Sequence, residues 1–260
     1  MSWTRILQWL MICSVAGWTG CGSTATMPRP AIAHADSQAP DARASRPPDA
    51  PANVAEPQRA TEPPATDAPA AVEPAAPPPC PTDKIRDEHQ KPDHVVQLVD
   101  LSESMTVVDL GSGSGYFLCR LSHAVGAHGH VIATEIDKSL VNDLKQRATR
   151  EQLTNVDVVL APANDVGIAP AAADRILLVN VWHHLPDRKR YATRIARALS
   201  PGGKVVIVDF KPAGKQSAHG IQPERVLAEL SAGGIDGALV PEELSDQYVI
   251  IGSVRGARTP

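Results

Sequence analysis

The sequence predicts an α/β domain with a doubly wound, mostly parallel sheet and helices on both of its faces. From about residue 93 onward, short β-rich runs alternate with amphipathic helical segments. Several runs are apolar at nearly every position, such as ILLVNV at 176–181 and VVIVDF at 205–210. Strands of this composition are typical of a parallel sheet that is buried on both faces. In such a sheet, ligands bind at the carboxyl ends of the strands.

Strands and helices are predicted in turn along this region. The predicted strands are Thr106–Leu110, Val131–Glu135, Val156–Leu160, Arg175–Val181, Lys204–Phe210 and Tyr248–Val254. The predicted helices lie near Tyr116–Val125, Lys138–Arg150, Arg188–Leu199 and Pro223–Ala232. A proline and two glycines at 201–203 favour a helix stop and a turn before the fifth strand.

Composition separates this domain from the chain that precedes it. Fifteen of the 24 prolines fall between Pro28 and Pro81, among small and polar residues. A segment with so few large apolar side chains cannot offset the entropy of ordering its backbone. Residues 22–81 are therefore predicted to be a disordered, semi-stiff tether. Residues 82–260 remain as the folded domain, and that length supports a single well-filled core.

The first 21 residues are predicted to be a targeting segment. Arg5 precedes an apolar run, Ile6–Trp18, that is too short to span a bilayer comfortably but suits a signal-peptide core. The run ends in Thr19-Gly20-Cys21, which resembles a bacterial lipobox. That resemblance implies a lipidated Cys21 and a membrane-anchored lipoprotein on the periplasmic side. A plain cleaved signal, or an uncleaved anchor that keeps the domain on the cytoplasmic side, is the alternative.

Charge and cysteine usage exclude some classes of function. The formal net charge of −4 argues against a protein that binds nucleic acid through phosphate contacts, since such proteins carry a strongly basic face. The cysteines have no metal-ligand spacing, and no metal site is predicted. Because they occupy different contexts, no disulfide framework is expected, and Cys119 is predicted to be a buried thiol.

The first predicted strand runs into a glycine-rich turn, Gly111-Ser112-Gly113-Ser114-Gly115. Glycines at such a turn let a ligand lie directly against the backbone. Glu135 ends the second strand, where its carboxylate can accept hydrogen bonds from the ribose of an adenosine ligand. A nicotinamide dinucleotide site would require glycine at Tyr116. Asp109 would repel a diphosphate and attract a sulfonium or ammonium group, so these residues favour S-adenosylmethionine.

The run from Asp109 to Tyr116 resembles motif I of the class I S-adenosylmethionine-dependent methyltransferases. VIATEID at 131–137, ADRILLVNVWHHLPDRKRY at 173–191 and LSPGGKVVIVDF at 199–210 resemble other segments of that family. The resemblance implies a Rossmann-like fold with a seven-stranded sheet, and S-adenosylmethionine as the cofactor. The implied cofactor-binding residues are Asp109, Gly111, Gly113, Gly115, Tyr116, Glu135, Asn180 and Val181. Many relatives hold adenine with an aspartate after the third strand; here Asn164 or Asp165 is expected to replace it.

His183 and His184 follow the fourth strand, where the resemblance places the acceptor pocket. A histidine can remove a proton from an acceptor, so this pair supplies the candidate catalytic residues, without a choice between them. The sequence thus predicts a methyltransferase with a small-molecule acceptor. The alternative is an exported, non-catalytic binding module that keeps the fold. A nicotinamide-dependent oxidoreductase is disfavoured by Tyr116.

Overall fold

Helices and strands alternate along the part of the chain that the computed structural model describes, residues 77–213, 219–241 and 244–256. The helices are α1 (Lys84–Gln90), α2 (Pro92–Val99), α3 (Leu118–Val125), α4 (Lys138–Arg150), α5 (Arg188–Ala198) and α6 (Pro223–Ala232). The strands are β1 (Thr106–Leu110), β2 (His130–Glu135), β3 (Val156–Leu160), β4 (Ala173–Val179), β5 (Leu199–Phe210), β6 (Ile235–Val240) and β7 (Gln247–Val254). The predicted targeting segment and residues 22–76 of the predicted tether lie outside the described residues.

All seven strands form one sheet in the order β3-β2-β1-β4-β5-β7-β6. Strands β1 to β5 are parallel to one another, whereas β7 runs antiparallel to both β5 and β6. Because β2 and β4 flank β1, the chain reverses its winding direction at β1 and opens a crevice at the carboxyl ends of these strands. The predicted α/β fold with a mostly parallel seven-stranded sheet is confirmed.

Helices cover both faces of the sheet. Successive side chains of a strand point to opposite faces, and in the central strands the side chains on both faces are apolar. In β4, Ile176 and Leu178 face the cluster that contains α5 and α6, while Leu177 faces the cluster that contains α2, α3 and α4. Val205 and Val206 divide in the same way in β5. A strand buried on both sides needs apolar residues at consecutive positions, which is the pattern that predicted it.

Strands β4 and β5 differ from their predicted bounds by two residues or more, whereas β2 and β7 each begin one residue earlier than predicted. β4 ends at Val179 because Asn180 has a φ of +58° and turns the chain out of the sheet. β5 begins at Leu199, since Leu199 pairs with Ala173 before the register shifts. The extension places the predicted proline–glycine turn inside the strand, with Gly202 at a φ of +80°.

A buried carboxylate ties α6 to the loop after β4. Glu229 accepts hydrogen bonds from Trp182 Nε1 at 3.0 Å, Arg188 Nε at 2.8 Å and Arg225 Nε at 3.1 Å. Burial alone would raise the pKa of Glu229, but the hydrogen bonds from Arg188 and Trp182 outweigh it and lower the pKa below its ordinary value. The folded state therefore stabilises the charged form.

We expect Glu229→Gln to lower the free energy of unfolding at pH 7 by about 1–3 kcal/mol, as measured in urea. Because the folded pKa is depressed, the contribution of the carboxylate is present above its ordinary pKa of 4.5 and fades as the pH falls below it. The same change at Glu224, which is exposed on the same helix, is the control and should have little effect. Equal effects at both positions would contradict the prediction.

Candidate active site

The glycine-rich turn lies at the carboxyl end of β1, on the crevice side of the sheet. The Gly111 and Ser112 amides both donate to the Thr134 carbonyl, at 2.9 and 3.0 Å, which fastens the turn to β2. A Cβ at Gly111 would lie 2.7 Å from Val181 Cγ2, so glycine here lets Val181 approach the turn. Gly113 has a φ of +55°, and a Cβ there would meet nothing within 4 Å. Gly113 thus offers bare backbone to open space.

The other two predicted residues of this turn pack inside the protein. A Cβ at Gly115 would lie 2.7 Å from Leu144 Cδ2, so this glycine allows the turn to sit close against α4. The Tyr116 side chain is buried, and its hydroxyl hydrogen-bonds to Asp87 of α1. The Arg86 guanidinium lies 3.8 Å from the centre of the Tyr116 ring. These contacts make Tyr116 the link between the turn and the first helix.

Two buried carboxylates flank the turn. Burial raises the pKa of Asp109 to about 6, the charge of Glu135 adds to the effect, and Ser112 and Arg86 oppose it. Because burial removes the Asp109 carboxylate from water, a cationic ligand beside it would stabilise its charged form. Glu135 accepts hydrogen bonds from the amides of Gly113, Ile136 and Asp137, at 3.0, 2.7 and 3.1 Å. Glu135 therefore fixes the backbone at the turn, and its remaining lone pairs can accept hydrogen bonds from a ligand.

The two residues predicted to contact adenine are adjacent on the loop after β3, but their side chains have different surroundings. Asp165 pairs with Arg194 of α5, and its Oδ1 accepts a hydrogen bond from the Gly167 amide at 3.2 Å. Asn164 is exposed on the same loop. The Tyr191 hydroxyl donates to the Ala163 carbonyl at 2.7 Å, which holds the loop against α5. The carboxylate of Asp165 is thus engaged within the protein, whereas the Asn164 side chain faces solvent.

The end of β4 brings Asn180 and Val181 beside the turn. Asn180 has a left-handed backbone, which asparagine tolerates better than most residues. Its amide donates to the Val208 carbonyl at 2.8 Å, and its side-chain oxygen accepts from Gln247 Nε2 at 2.6 Å. These bonds fix the chain where it leaves the sheet, so that the following Trp182–His184 turn starts at a defined place.

His183 forms a buried pair with Asp209, a residue that the sequence reasoning did not select. His183 Nδ1 lies 2.6 Å from Asp209 Oδ1, and the His183 amide donates to Oδ2 at 3.0 Å. The Phe210 amide also donates to Oδ1, at 2.8 Å, and Asp209 is fully buried. The carboxylate acceptor places the proton on Nδ1 and leaves the Nε2 lone pair available. The only signal in the sequence was one aspartate within an apolar strand.

Two further histidines lie beside this pair. The ring centre of His184 is 3.9 Å from that of His183, and that of His219 is 5.6 Å from it. His184 is exposed as a residue, yet desolvation of its ring and the neighbouring His183 lower its pKa, while Asp209 acts in the opposite direction. His183, rather than His184, therefore has the fixed orientation that a proton acceptor requires.

The prediction that the cysteines form no disulfide is wrong. Cys80 and Cys119 are joined, with their Cα atoms 5.6 Å apart. The His123 ring lies beside both sulfurs, 3.5 Å from Cys80 Sγ and 3.7 Å from Cys119 Sγ. Cys119 is buried as predicted, but it is a bridge that ties the chain before α1 to α3. Sequence spacing did not show this proximity, because α1 and α2 fold back to bring residue 80 to α3.

No helix among the described residues is long and apolar enough to span a membrane. The predicted lipidation site, Cys21, lies outside these residues.

A family model described as a methyltransferase domain matches residues 108–207, from β1 into β5. The match includes the glycine-rich turn, Glu135 and both candidate catalytic histidines, but it ends two residues before Asp209.

Two curated relatives share this region. The arsenite methyltransferase of Halobacterium salinarum is 28% identical over 104 residues, which are 40% of this chain and 27% of that protein. The ubiquinone/menaquinone biosynthesis C-methyltransferase UbiE of Vibrio campbellii is 29% identical over 105 residues, 40% of each protein. The chain thus spans less than half the length of these curated relatives.

A solved structure matches more of the fold. A SAM-dependent methyltransferase from Aquifex aeolicus aligns with a TM-score of 0.62 and 25% identity, covering 65% of this chain and 93% of that one. This neighbour and the family model indicate S-adenosylmethionine as the cofactor. The described residues fit that group, because space is open at Gly113 and the buried carboxylates of Asp109 and Glu135 lie at the same turn.

Proposed function

We propose that this protein transfers a methyl group from S-adenosylmethionine to a small-molecule acceptor. The observation that carries the proposal is that two buried carboxylates lie at the glycine-rich turn: Asp109 precedes it in β1, and Glu135 accepts a hydrogen bond from the Gly113 amide at 3.0 Å. Asp109 would hold the cationic methionine end, and Glu135 would accept hydrogen bonds from the ribose hydroxyls. Asn164, exposed on the loop after β3, is the candidate contact to adenine.

The acceptor is proposed to be a hydroxyl compound, such as a phenol, which must lose a proton as it is methylated. His183 would remove that proton through Nε2, because Asp209 holds Nδ1 and stabilises the imidazolium that forms. The bound cofactor supplies an electrophilic methyl group, so the protein has to position the acceptor oxygen and take its proton. Val181, packed on Gly111, would border both ligands.

The protein is proposed to be a membrane-anchored lipoprotein with its domain on the periplasmic side. The lipobox-like Cys21 supports this placement, and so does the Cys80–Cys119 bridge, since disulfides persist in oxidising compartments. The same bridge favours a second candidate function, an exported binding module without catalysis, because S-adenosylmethionine is a cytoplasmic metabolite. An anchor that leaves the domain on the cytoplasmic side is the other arrangement.

Calorimetric titration of the full-length protein with S-adenosylmethionine tests the proposal, using Gly113→Val to fill the open face. The Cβ of the valine would meet no protein atom within 4 Å, but the side chain would occupy the space proposed for the ligand. We expect the Kd to rise by at least about tenfold. Gly234→Val is the matched control, because Gly234 also has a positive φ, +91°, and open space around it. It should suffer similar backbone strain and keep its affinity.

Equal losses in the two variants would mean that backbone strain, rather than obstruction, weakens binding. Absence of binding by the folded wild-type protein at millimolar ligand would overturn the proposed activity and leave the binding module.

A further inference from the structure

Two cysteines and a histidine meet where the chain before α1 packs on α3. Cys119 and His123 are four residues apart on α3, so their side chains lie on the same face of the helix. Cys80 approaches that face from the segment before α1, and its sulfur lies 3.5 Å from His123 Nδ1. His123 Nε2 lies 3.7 Å from Cys119 Sγ. One ligand atom from each of the three residues lies within 4.8 Å of the other two.

These distances are close to those of a tetrahedral metal centre. Zinc binds thiolate sulfur at about 2.3 Å and imidazole nitrogen at about 2.0–2.1 Å, and tetrahedral angles then place sulfur and nitrogen about 3.6 Å apart. The two sulfurs would need a separation of about 3.8 Å, which they can reach only when the bond between them is broken. The arrangement therefore excludes a metal in the bridged form and suits one in the thiol form.

A cavity beside the three residues leaves room for the ion and for a fourth ligand. Its volume is about 360 Å³. It is lined by Cys80, Thr82, Asp93, Val96, Arg120 and His123. Two carboxylates compensate the charge of Arg120, Asp93 at 2.7 Å and Asp87 at 3.7 Å, so the guanidinium does not exclude a cation. Cys80 is half-buried beside the cavity, so a reductant and a metal ion can reach the site there.

We propose that Cys80, Cys119 and His123 bind a zinc ion when the disulfide is reduced. A dithiol reductant breaks the S–S bond by thiol–disulfide exchange, which leaves thiols at both cysteines and converts the reductant to a disulfide. Each thiol releases its proton as it binds the ion, and a water molecule completes the four ligands. Two thiolates and a neutral imidazole suit zinc, whereas magnesium and calcium prefer oxygen ligands.

The metal would replace the disulfide as the link between the segment before α1 and α3. Disulfides persist in oxidising compartments, whereas thiols are kept reduced in the cytoplasm. The same three residues would therefore hold this segment in either compartment, by a covalent bond in one and by a metal ion in the other. This role does not depend on the proposed function, because it concerns the attachment of this segment rather than methyl transfer.

Zinc titration of the full-length protein tests the proposal, after reduction with a phosphine and removal of bound metals. We expect reduced wild type to release about two protons for each zinc ion bound, as measured by calorimetry in buffers of different ionisation enthalpy. In urea, zinc at about 100 times its Kd should lower the unfolding equilibrium constant of the reduced protein about a hundredfold. Oxidised wild type should gain no stability from zinc, because its sulfurs remain bonded to each other.

Two histidine variants separate a metal ligand from a general effect of substitution. His123→Gln removes the imidazole and keeps both cysteines, so the Kd of the reduced protein for zinc should rise at least about tenfold. His128→Gln is the matched control, because His128 is exposed in the turn that follows α3. It should keep the affinity of wild type.

The double variant Cys80→Ser, Cys119→Ser should lose the stabilisation by zinc altogether. Cys13 and Cys21 remain in every variant, so any zinc that they bind is a background common to all of them. The proposal would be overturned if zinc did not stabilise reduced wild type, if it stabilised the double variant or the oxidised protein as much, or if the two histidine variants bound zinc equally well. Binding of S-adenosylmethionine does not enter these measurements, so the proposed function and this proposal fail separately.

Discussion

Asp209→Asn is expected to slow methyl transfer by about a hundredfold or more, without a large change in affinity for S-adenosylmethionine. The asparagine has the shape of the aspartate and lacks its charge. The imidazolium that forms when His183 takes a proton would therefore lose its stabilising partner, which lies 2.6 Å away. The amide can also turn its NH₂ toward the ring and favour the wrong tautomer. Transfer of labelled methyl to a phenol such as catechol measures the rate.

The matched control for this experiment is Asp174→Asn. Asp174 also accepts hydrogen bonds within the sheet, from the Thr106 amide at 2.9 Å and from Ser200 Oγ at 2.8 Å. It lies at the opposite end of the strands, so its loss should affect stability and leave the transfer rate unchanged. A rate in Asp209→Asn within about threefold of wild type would show that His183 is not the proton acceptor.

Loss of the Cys80–Cys119 bridge is expected to lower the free energy of unfolding by about 3–4 kcal/mol. The cysteines are 39 residues apart in the sequence, and a cross-link of that span removes much of the conformational entropy of the unfolded chain. Urea unfolding of the double variant Cys80→Ser, Cys119→Ser against wild type measures the change.

Reduction of wild type supplies an independent comparison for the bridge. Dithiothreitol should lower the stability of wild type to that of the double variant and leave the variant itself unchanged. A wild-type protein that is equally stable with and without reductant would mean that the bridge does not form in solution or does not stabilise the fold.

The buried strands could be predicted because burial on both faces requires consecutive apolar residues. Strand β6 lacks this pattern and was not predicted. Ile235–Val240 is an edge strand whose residues are mostly exposed or half-buried, and it includes Asp236 and Gly237. Nothing in those residues distinguishes it from a loop. Residues 235–240 form a strand because they pair antiparallel with β7 at the edge of the sheet. The short helices α1 and α2 were missed because they precede the regular β–α alternation.

The candidate site was predictable where a residue's role follows from its neighbours in sequence. Asp109 lies at the end of β1 and Gly113 in the turn that follows it, so their proximity needs no knowledge of the fold. Asp209 comes from a distant segment, and only the sheet order brings it beside His183. The sequence also could not show that Gly115 and Tyr116 turn inward, because the same spacing serves packing and ligand contact.

The bridge between Cys80 and Cys119 closes a covalent ring that contains α1, α2, β1 and the glycine-rich turn. Arg86, Asp109 and Gly113 lie inside this ring, whereas Glu135 and His183 lie on the open chain beyond it. A protease that cut the backbone once within the ring would leave both fragments attached, so the nick would appear only on a reducing gel. A truncated chain that began at Thr82 would retain all of these groups but would have lost the ring.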